Sequence, residues 1–452
     1  MKLLFFMLAS TWLRLETPYF EVVTDAKESA AREVLDRLEG IRQAIGDEQS
    51  NPLPVRVYLF RTEKEFVPFR PSAATSGFYQ SGPDRDLIVM YASGDPGHVV
   101  FHEFVHITLH HSGARMPQWF EEGIAELYST LEISGSKLRI GRPVPQHTRT
   151  LEQSTWLTAE EMWGVNKSSA QYNEREKAGI FYAQSWALVH LLCTSPDYRG
   201  KVREFSALIE AGNEGQHAFQ KAFGRTLARA LQDVRATVEA RRFPYQEEQR
   251  SFERAPVPTQ RVLAREEADL LEAELYLALG KPEPAGAIYT RLTKSSKYNA
   301  EVEAGLGSVA MAFSEYDQAR LHLQRAIKLG NHDAATHFEY AMLLRESGAP
   351  LPAIQAALQR TLALNPKHVE AHFVLANMLS AEGNPTAAIP HLKQAIEVLP
   401  RQSQFWHALA IAYLDSNQRT EAASAAKHAA DSAATPQEAD MAADLLRMLQ
   451  KQ

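Results

Sequence analysis

The sequence predicts an α+β domain followed by an all-α solenoid of repeated helix pairs. Apolar or alternating segments of strand length lie between residues 19 and 91, and helical periodicity dominates residues 158–242. Strands followed by helices that pack on one side give an α+β arrangement, with a cleft between sheet and helices. Beyond residue 260, small residues recur every 34 or 35 positions, which is the period of stacked helix pairs.

The elements of the α+β domain follow from their patterns in chain order. Residues 26–45 are amphipathic at helical period, and they follow Thr24 and Asp25, a pair that favours a helix start. The segments of strand character are residues 19–23, 55–60, 78–80 and 87–91, with a further hairpin at 131–144. The turn residues 81–84 (Ser-Gly-Pro-Asp) join the third and fourth of these segments as a hairpin.

Residues 102–106 read HEFVH and place two histidines four positions apart. On an α-helix such residues lie on one face, so His102 and His106 can direct ring nitrogens at one metal ion. Glu103 lies about 100° round the helix and can instead take a proton from a water molecule at the metal. The flanking residues make the helix apolar nearly all round, which predicts burial. The alternative interpretation is a core helix whose histidines are hydrogen-bonded.

A second segment supplies carboxylates for the same site. Glu122 and Glu126 are four apart on the next predicted helix and share a face. One of them can bind the metal while the other accepts the outer N–H of a ligating histidine. A histidine-rich alternative requires glycine at position 109 and histidine at position 112, where this chain has Leu and Ser. We interpret His110 and His111 as surface histidines or as histidines behind the metal ligands.

HEFVH followed by the run WFEEGIAE at residues 119–126 resembles the gluzincin zinc metallopeptidases, especially the peptidase MA-like group. The resemblance implies a zincin-like α+β domain that binds Zn2+. It implies His102, His106 and Glu122 as the zinc ligands. It further implies Glu103 as the general base and Glu126 as the residue that orients a ligating histidine.

A downstream segment adds a catalytic candidate. Residues 181–187 resemble the Y-x-K-G-A segment of the aminopeptidase branch, so Tyr182 is expected to donate a hydrogen bond where negative charge develops. Gln184 and Ser185 depart from that pattern, and the alternative is an ordinary helix tyrosine packed in the core. Residues 86–94 lack the Gly-x-Met-Glu-Asn segment of the exopeptidases, which favours an endopeptidase. A strand there could pair with an extended peptide.

The C-terminal half resembles tetratricopeptide (TPR) repeats. Two series of small residues repeat with the same spacings: Ala273, Gly307, Ala341, Ala376 and Ala410, and Ala285, Ala319, Ala353, Ala388 and Ala422. Small residues let paired helices approach closely, and the TPR period predicts five helix pairs over residues 261–432 and a capping helix over 433–452. The concave face of such a superhelical solenoid commonly holds a peptide or a partner protein.

Composition excludes several classes of protein. The net charge is −7 and the sequence has no basic cluster with aromatic residues, which argues against nucleic-acid binding. A single cysteine, Cys193, excludes an internal disulfide framework and a cysteine zinc site. The sequence has no stretch approaching the ~20 apolar residues of a transmembrane helix.

The predicted boundaries place the metallopeptidase domain at residues 12–243 and a charged, proline-containing linker at 244–260. Residues 1–11 are interpreted as a shortened signal or an N-terminal extension. The start could also be a wrongly chosen codon or a plain cytosolic N-terminus. The protein is expected to be exported or periplasmic if residues 1–9 belong to a signal sequence, and cytoplasmic otherwise.

Two functions remain open from the sequence. The first is a zinc-dependent endopeptidase that cleaves a peptide or protein substrate and recruits substrates or partner proteins through the TPR array. The alternative is a TPR scaffold or adaptor whose metallopeptidase domain is structural or inactive.

Overall fold

The computed structural model describes residues 11–46, 53–72, 75–82, 84–112, 116–166, 168–173, 175–294, 297–433 and 435–450. The predicted signal or extension at residues 1–11 therefore lies, except for its last residue, outside the described residues. Within the described ranges, no helix combines the length and the apolar character needed to cross a membrane.

A mixed sheet of six strands forms the centre of the N-terminal domain, in the order β4-β5-β3-β2-β1-β9. Its strands are β1 (Leu13–Glu16), β2 (Phe20–Thr24), β3 (Val55–Phe60), β4 (Gly77–Gln80), β5 (Asp86–Tyr91) and β9 (Thr259–Val262). Strand β3 runs parallel to both of its neighbours, β2 and β5, and the other pairings are antiparallel. The predicted hairpin of β4 and β5 is confirmed.

Alternate residues of the central strands face two different layers of helices. On one face, Val22, Val57 and Ile88 share a core with α1 (Glu28–Ile45) and α3 (Pro96–Ser112). On the other face, Tyr58 and Val89 pack with the short helix α2 (Glu63–Phe66) and with the first helix of the C-terminal array. The sheet is therefore covered on both sides, which explains why its central strands are buried throughout.

A helical subdomain packs beside the helix-covered sheet. Its helices surround a core that contains many aromatic residues. Its helices are α4 (Gln118–Ser129), α5 (Pro145–Gln153), α6 (Ala159–Gly164), α7 (Ala170–Asn173), α8 (Arg175–Thr194), α9 (Val202–Glu210), α10 (Gly215–Phe223) and α11 (Leu227–Glu239). A small sheet of β6 (Glu132–Ser134), β7 (Lys137–Ile140) and β8 (Gln246–Gln249) lies at its side. The predicted α+β order of strands followed by helices is confirmed in this domain.

The C-terminal half is an array of helix pairs that resembles a TPR solenoid. The pairs are α12 (Arg265–Ala278) with α13 (Pro282–Leu292), α14 (Asn299–Ala312) with α15 (Tyr316–Lys328), α16 (Ala334–Glu346) with α17 (Leu351–Leu364), α18 (Val369–Ala381) with α19 (Pro385–Val398), and α20 (Ser403–Asp415) with α21 (Arg419–Asp431). Helix α22 (Pro436–Gln450) closes the array. The repeated small residues are almost fully buried where the paired helices meet, as at Ala341 and Ala388.

The segment expected to be a linker, residues 244–260, instead contributes to both sheets. Strand β8 pairs with β7, and β9, which begins at Thr259, pairs with β1. All residues of β8 and β9 have exposed side chains, so their composition resembles that of a solvated connection. Their pairing uses backbone groups, which leave no mark on the hydrophobic pattern.

Candidate metal centre

Helix α3 presents His102, Glu103 and His106, and it is anchored to the sheet at its C-terminal end. His111 Nε2 lies 2.5 Å from Asp86 Oδ2 at the start of β5, and both side chains are almost fully buried. We expected His111 at the surface or behind the metal ligands. It instead joins the helix to the sheet, because it lies on the face of α3 that meets β5.

Helix α4 carries Glu122 and packs tightly against α8 because the next residue is glycine. A Cβ atom at Gly123 would lie 2.4 Å from the carbonyl oxygen of Ser185 and 2.4 Å from Cγ2 of Val189. Any larger residue would force the two backbones apart. The glycine of the WFEEG run therefore sets how far α4 stands from α8, and with it the position of Glu122.

Three predicted ligands meet between α3 and α4. Nε2 of His102 lies 3.1 Å from Nε2 of His106. Oε2 of Glu122 lies 3.3 Å from the first nitrogen and 3.4 Å from the second. Two ligands bound tetrahedrally to zinc at about 2.0 to 2.1 Å lie about 3.3 to 3.4 Å apart. The three atoms thus have the mutual spacing of one face of a tetrahedral zinc site, and the residues fit the metal that the motif implies.

The two oxygens of Glu122 have different surroundings. Oε1 accepts hydrogen bonds from the Tyr172 hydroxyl at 3.0 Å and from Gln118 Nε2 at 2.9 Å. Oε2 is buried and receives no hydrogen bond from any described residue, although it faces the two histidines. This arrangement leaves one oxygen for a metal ion. Gln118 could have been found from its position one helical turn before Glu122, whereas nothing in the sequence indicates Tyr172.

Glu126 lies behind the three converging atoms, as expected. Its carboxylate is 3.4 Å from Nδ1 of His102, the ring nitrogen opposite the converging one. It is also 2.9 Å from Nε2 of His147 and 3.3 Å from Nε2 of His98. The sequence analysis did not identify His98 or His147. These contacts fix the orientation of the His102 ring.

The centre contains more acidic groups than its two converging imidazoles can neutralise. Burial opposes the charged form of His102, but its close contact with the Glu122 carboxylate and the charges of Glu126 and Glu103 raise its pKa to about 10. Burial also works against ionised Glu122, and the imidazoles hold the pKa of this carboxyl well below its usual range. Burial raises the pKa of Glu103, with both imidazoles opposing the shift. Such surroundings favour a bound cation.

Tyr182 lies beside these residues on α8. Its ring centroid is 6.3 Å from that of His102 and 6.0 Å from that of Tyr172. Burial and the charge of Glu122 raise the pKa of its hydroxyl well above its usual value, so the group stays a donor. Tyr182 also lines the cleft, so its position is compatible with the predicted contact to an oxyanion.

A cleft of about 1040 Å³ opens in front of the centre. One wall is β4, which is the edge strand of the large sheet, and helices α3 and α4 form the floor. We expected the strand at residues 86–94 to be open to an extended peptide, but β5 is paired on both sides, and among the described strands β4 is the outermost. Residues of the array complete the rim at Leu279, Lys281, Arg401 and Gln402.

Comparisons with known proteins give matches among solved structures. No protein-family model matches the chain. A search of curated proteins likewise gives no match. A structure of YrrB, described as a TPR protein with an unusual peptide-binding site, is 21% identical with a TM-score of 0.34, and the match covers 39% of this chain and 91% of that one. A structure of MamA is 22% identical with a TM-score of 0.31, covering 35% of this chain and 93% of that one.

Proposed function

We propose that the N-terminal domain hydrolyses peptide bonds with a bound zinc ion, as an endopeptidase. The observation that supports this function best is the convergence of His102, His106 and Glu122 at the spacing of tetrahedral zinc ligands. The pattern is also that of a catalytic rather than a structural site, since a catalytic zinc has three protein ligands and one open position.

When bound, zinc would activate a water molecule and polarise the carbonyl of the scissile bond. Glu103 takes the proton of the attacking water and returns a proton to the leaving amine, a role for which a raised carboxyl pKa is suited. Tyr182 donates a hydrogen bond to the oxygen on which negative charge develops. Glu126 holds the His102 ring through its Nδ1 atom.

The cleft favours an extended polypeptide as substrate. The outer edge of β4, the outermost of the described strands, can pair with such a chain through backbone hydrogen bonds, which are independent of the substrate's sequence. Residues 86–94 lack the amine-binding Gly-x-Met-Glu-Asn segment of exopeptidases. None of these residues is among the described residues that line the cleft. This arrangement favours cleavage within a chain over removal of terminal residues.

Metal content and hydrolysis test the proposal together. The purified chain should hold about one zinc ion per molecule, measured by atomic emission. Glu103→Gln should keep the zinc and lower peptide hydrolysis by about 10² to 10⁴-fold, because only the proton acceptor is lost. His102→Ala should lose both. A Glu103→Gln variant with undiminished hydrolysis, or a wild-type chain that binds no zinc, would contradict the proposal.

The array of five helix pairs supports a second candidate function, that of a scaffold for other proteins. In that case the biological activity would survive Glu103→Gln and would be lost on substitution of exposed residues of the array. Cells that carry each variant, compared with wild type, distinguish the two functions. Loss of the biological activity in cells that carry Glu103→Gln, without loss in cells that carry the array variants, would argue against the scaffold function.

A further inference from the structure

The β4–β5 hairpin reaches from the sheet into the repeat array. Near its tip, Asp84 Oδ1 accepts a hydrogen bond from Asn365 Nδ2 at 2.5 Å. Asn365 is the C-cap of α17, in the loop between the third and fourth helix pairs. Its own Oδ1 accepts from the Lys367 N–H at 2.9 Å, so the amide is fixed in the orientation that presents its N–H groups to Asp84.

Charged groups surround this contact. His368, next in the same loop, is fully buried, and its imidazole accepts from the Ala371 N–H at the start of α18. Burial lowers the pKa of His368, and the carboxylate of Asp84 opposes that shift. On the array side, Asp333 lies near both Asp84 and Arg85, whose charges act on its carboxyl in opposite directions. The hairpin tip thus meets a polar surface with a defined pattern of charges.

A chain of ion pairs joins Arg85, next to Asp84 in the turn of the hairpin, to the first helix of the array. Arg85 lies 3.4 Å from Glu21 on β2, and Glu21 lies 2.6 Å from Arg56 on β3. Arg56 in turn lies 3.3 Å from Glu274 on α12. Arg56 is almost fully buried, so these pairs are less screened by solvent than surface pairs.

The array therefore contacts the N-terminal domain at separated points around the hairpin. Lys281, after α12, donates to the carbonyl oxygen of Pro68 at 2.7 Å, and the Tyr276 ring packs at a tilt against Phe69 with ring centroids 4.6 Å apart. Further along the array, Asn365 contacts the hairpin tip. At the far end, Gln402 borders the cleft itself.

We propose that the repeat array acts within its own chain as a clamp on the β4–β5 hairpin. Its loop between α17 and α18 is an intramolecular docking surface, and the occupant of that surface is the hairpin tip at Asp84. The clamp holds edge strand β4 in position beside the metal centre. A strand at the edge of a sheet is held weakly, because it pairs with only one neighbouring strand. An anchor at the tip of the hairpin therefore restricts local separation of β4 from β5. The effect of the clamp on peptide hydrolysis rests on the proposed function, whereas the docking itself does not.

Swapping the amide of Asn365 and the carboxylate of Asp84 tests the docking in the full-length chain. Asn365→Asp keeps the acceptor for Lys367 but opposes Asp84 with a second carboxylate. Hydrogen exchange of the backbone amides in residues 75–91, read by mass spectrometry, should then become at least about fivefold faster. The double variant Asp84→Asn with Asn365→Asp restores an amide–carboxylate pair and should return exchange to the wild-type rate.

Asn331 provides a matched control in the preceding inter-repeat loop. Its Oδ1 also accepts from the N–H two residues on, that of Asp333, but its Nδ2 bonds to Ala300 within the array. Asn331→Asp should leave exchange in residues 75–91 unchanged. The clamp is overturned if Asn365→Asp does not speed exchange, if the double variant does not restore it, or if Asn331→Asp speeds it equally. Because exchange requires no hydrolysis, a chain without peptidase activity would still decide the matter.

Discussion

At the scale of single residues, the two oxygens of Glu122 have different roles in the proposed zinc site: one would bind the metal ion, and the other positions the carboxylate. Oε1 is held by Tyr172 and Gln118, and Oε2 faces His102 and His106. A carboxylate with one oxygen already bonded has fewer orientations to lose when it binds a metal ion. The hydroxyl of Tyr172 is therefore a positioning group, although it lies on a short helix without a recognisable motif.

Tyr172→Phe should weaken zinc binding by about 10-fold, because it removes one of two donors to Oε1 while retaining the ring. A competition titration against a chelator of known affinity measures the change. Tyr182→Phe is the matched control, since it removes a neighbouring hydroxyl that does not bond to Glu122 among the described contacts. It should keep zinc affinity and lower kcat by about 10² to 10³-fold. Equal zinc affinity in both variants would remove the positioning role of Tyr172.

At the scale of elements, the contact of α4 with α8 determines where the ligand from α4 lies. Gly123 has no room for a Cβ, because the nearest atoms are backbone atoms of Ser185 and a branched methyl of Val189. Gly179 on α8 is also helical, but nothing lies within 4 Å of the position of its missing Cβ. Substitution of Gly123 therefore tests a steric requirement for glycine, whereas substitution of Gly179 tests only the low helix propensity of glycine.

Gly123→Ala should destabilise the domain by about 1 to 3 kcal/mol, because overpacking outweighs the gain in helix propensity. Gly179→Ala should instead stabilise it by up to about 1 kcal/mol. Urea denaturation followed by tryptophan fluorescence gives both values. A Gly123→Ala protein as stable as wild type would show that α4 and α8 can move apart without cost.

At the scale of the whole molecule, the array and the N-terminal domain share a hydrophobic core. Leu271 and Leu275 of α12 pack with Tyr58 and Val89 of the sheet. The hydroxyl of Tyr58 donates to the backbone carbonyl of Leu271 at 3.1 Å. The first helix of the array therefore replaces the outer helix layer that the sheet would otherwise need.

The array also contains a half-buried acid, Glu339, that makes its stability depend on pH. Burial raises the pKa of Glu339 to about 7, while its hydrogen bond from Ser308 opposes the shift and Asp333 adds to it. The folded chain thus binds a proton that the unfolded chain releases at a lower pH. The contribution of Glu339 to stability is therefore fully present below about pH 4.5 and falls until about pH 7.

Glu339→Gln should raise stability at pH 8 by about 1 to 2 kcal/mol and change it little at pH 5, because glutamine is neutral at both values. This gain is smaller than the free energy that the whole pKa shift of Glu339 would give, because the side chain is partly exposed and solvent screens its charge. The urea midpoint at the two pH values measures the difference. Glu346→Gln, an exposed substitution on the same helix, controls for the loss of one charge. An equal gain at both pH values would contradict the assignment.

Local periodicity in the sequence was sufficient to predict most helices, several strands and the residues of the two site motifs. The strand and helix patterns predicted β3, the β4–β5 hairpin and the five helix pairs with their cap, since each pattern reflects burial of one face of one element. The four-residue spacings placed His102 with His106 and Glu122 with Glu126, because one helical turn determines those relations. These features need no knowledge of distant contacts.

Tertiary structure decided the relations between segments far apart in the chain. It added β8 and β9 to the sheets, brought Tyr172 and His147 to the candidate metal centre, and placed Asn365 on the hairpin tip. Backbone pairing and single polar contacts carry no periodic signal, so they cannot be read from the pattern of one segment. The sequence by itself thus determined which side chains can bind a metal ion and that helices repeat. The folded chain alone determined what orients those ligands and where the array docks.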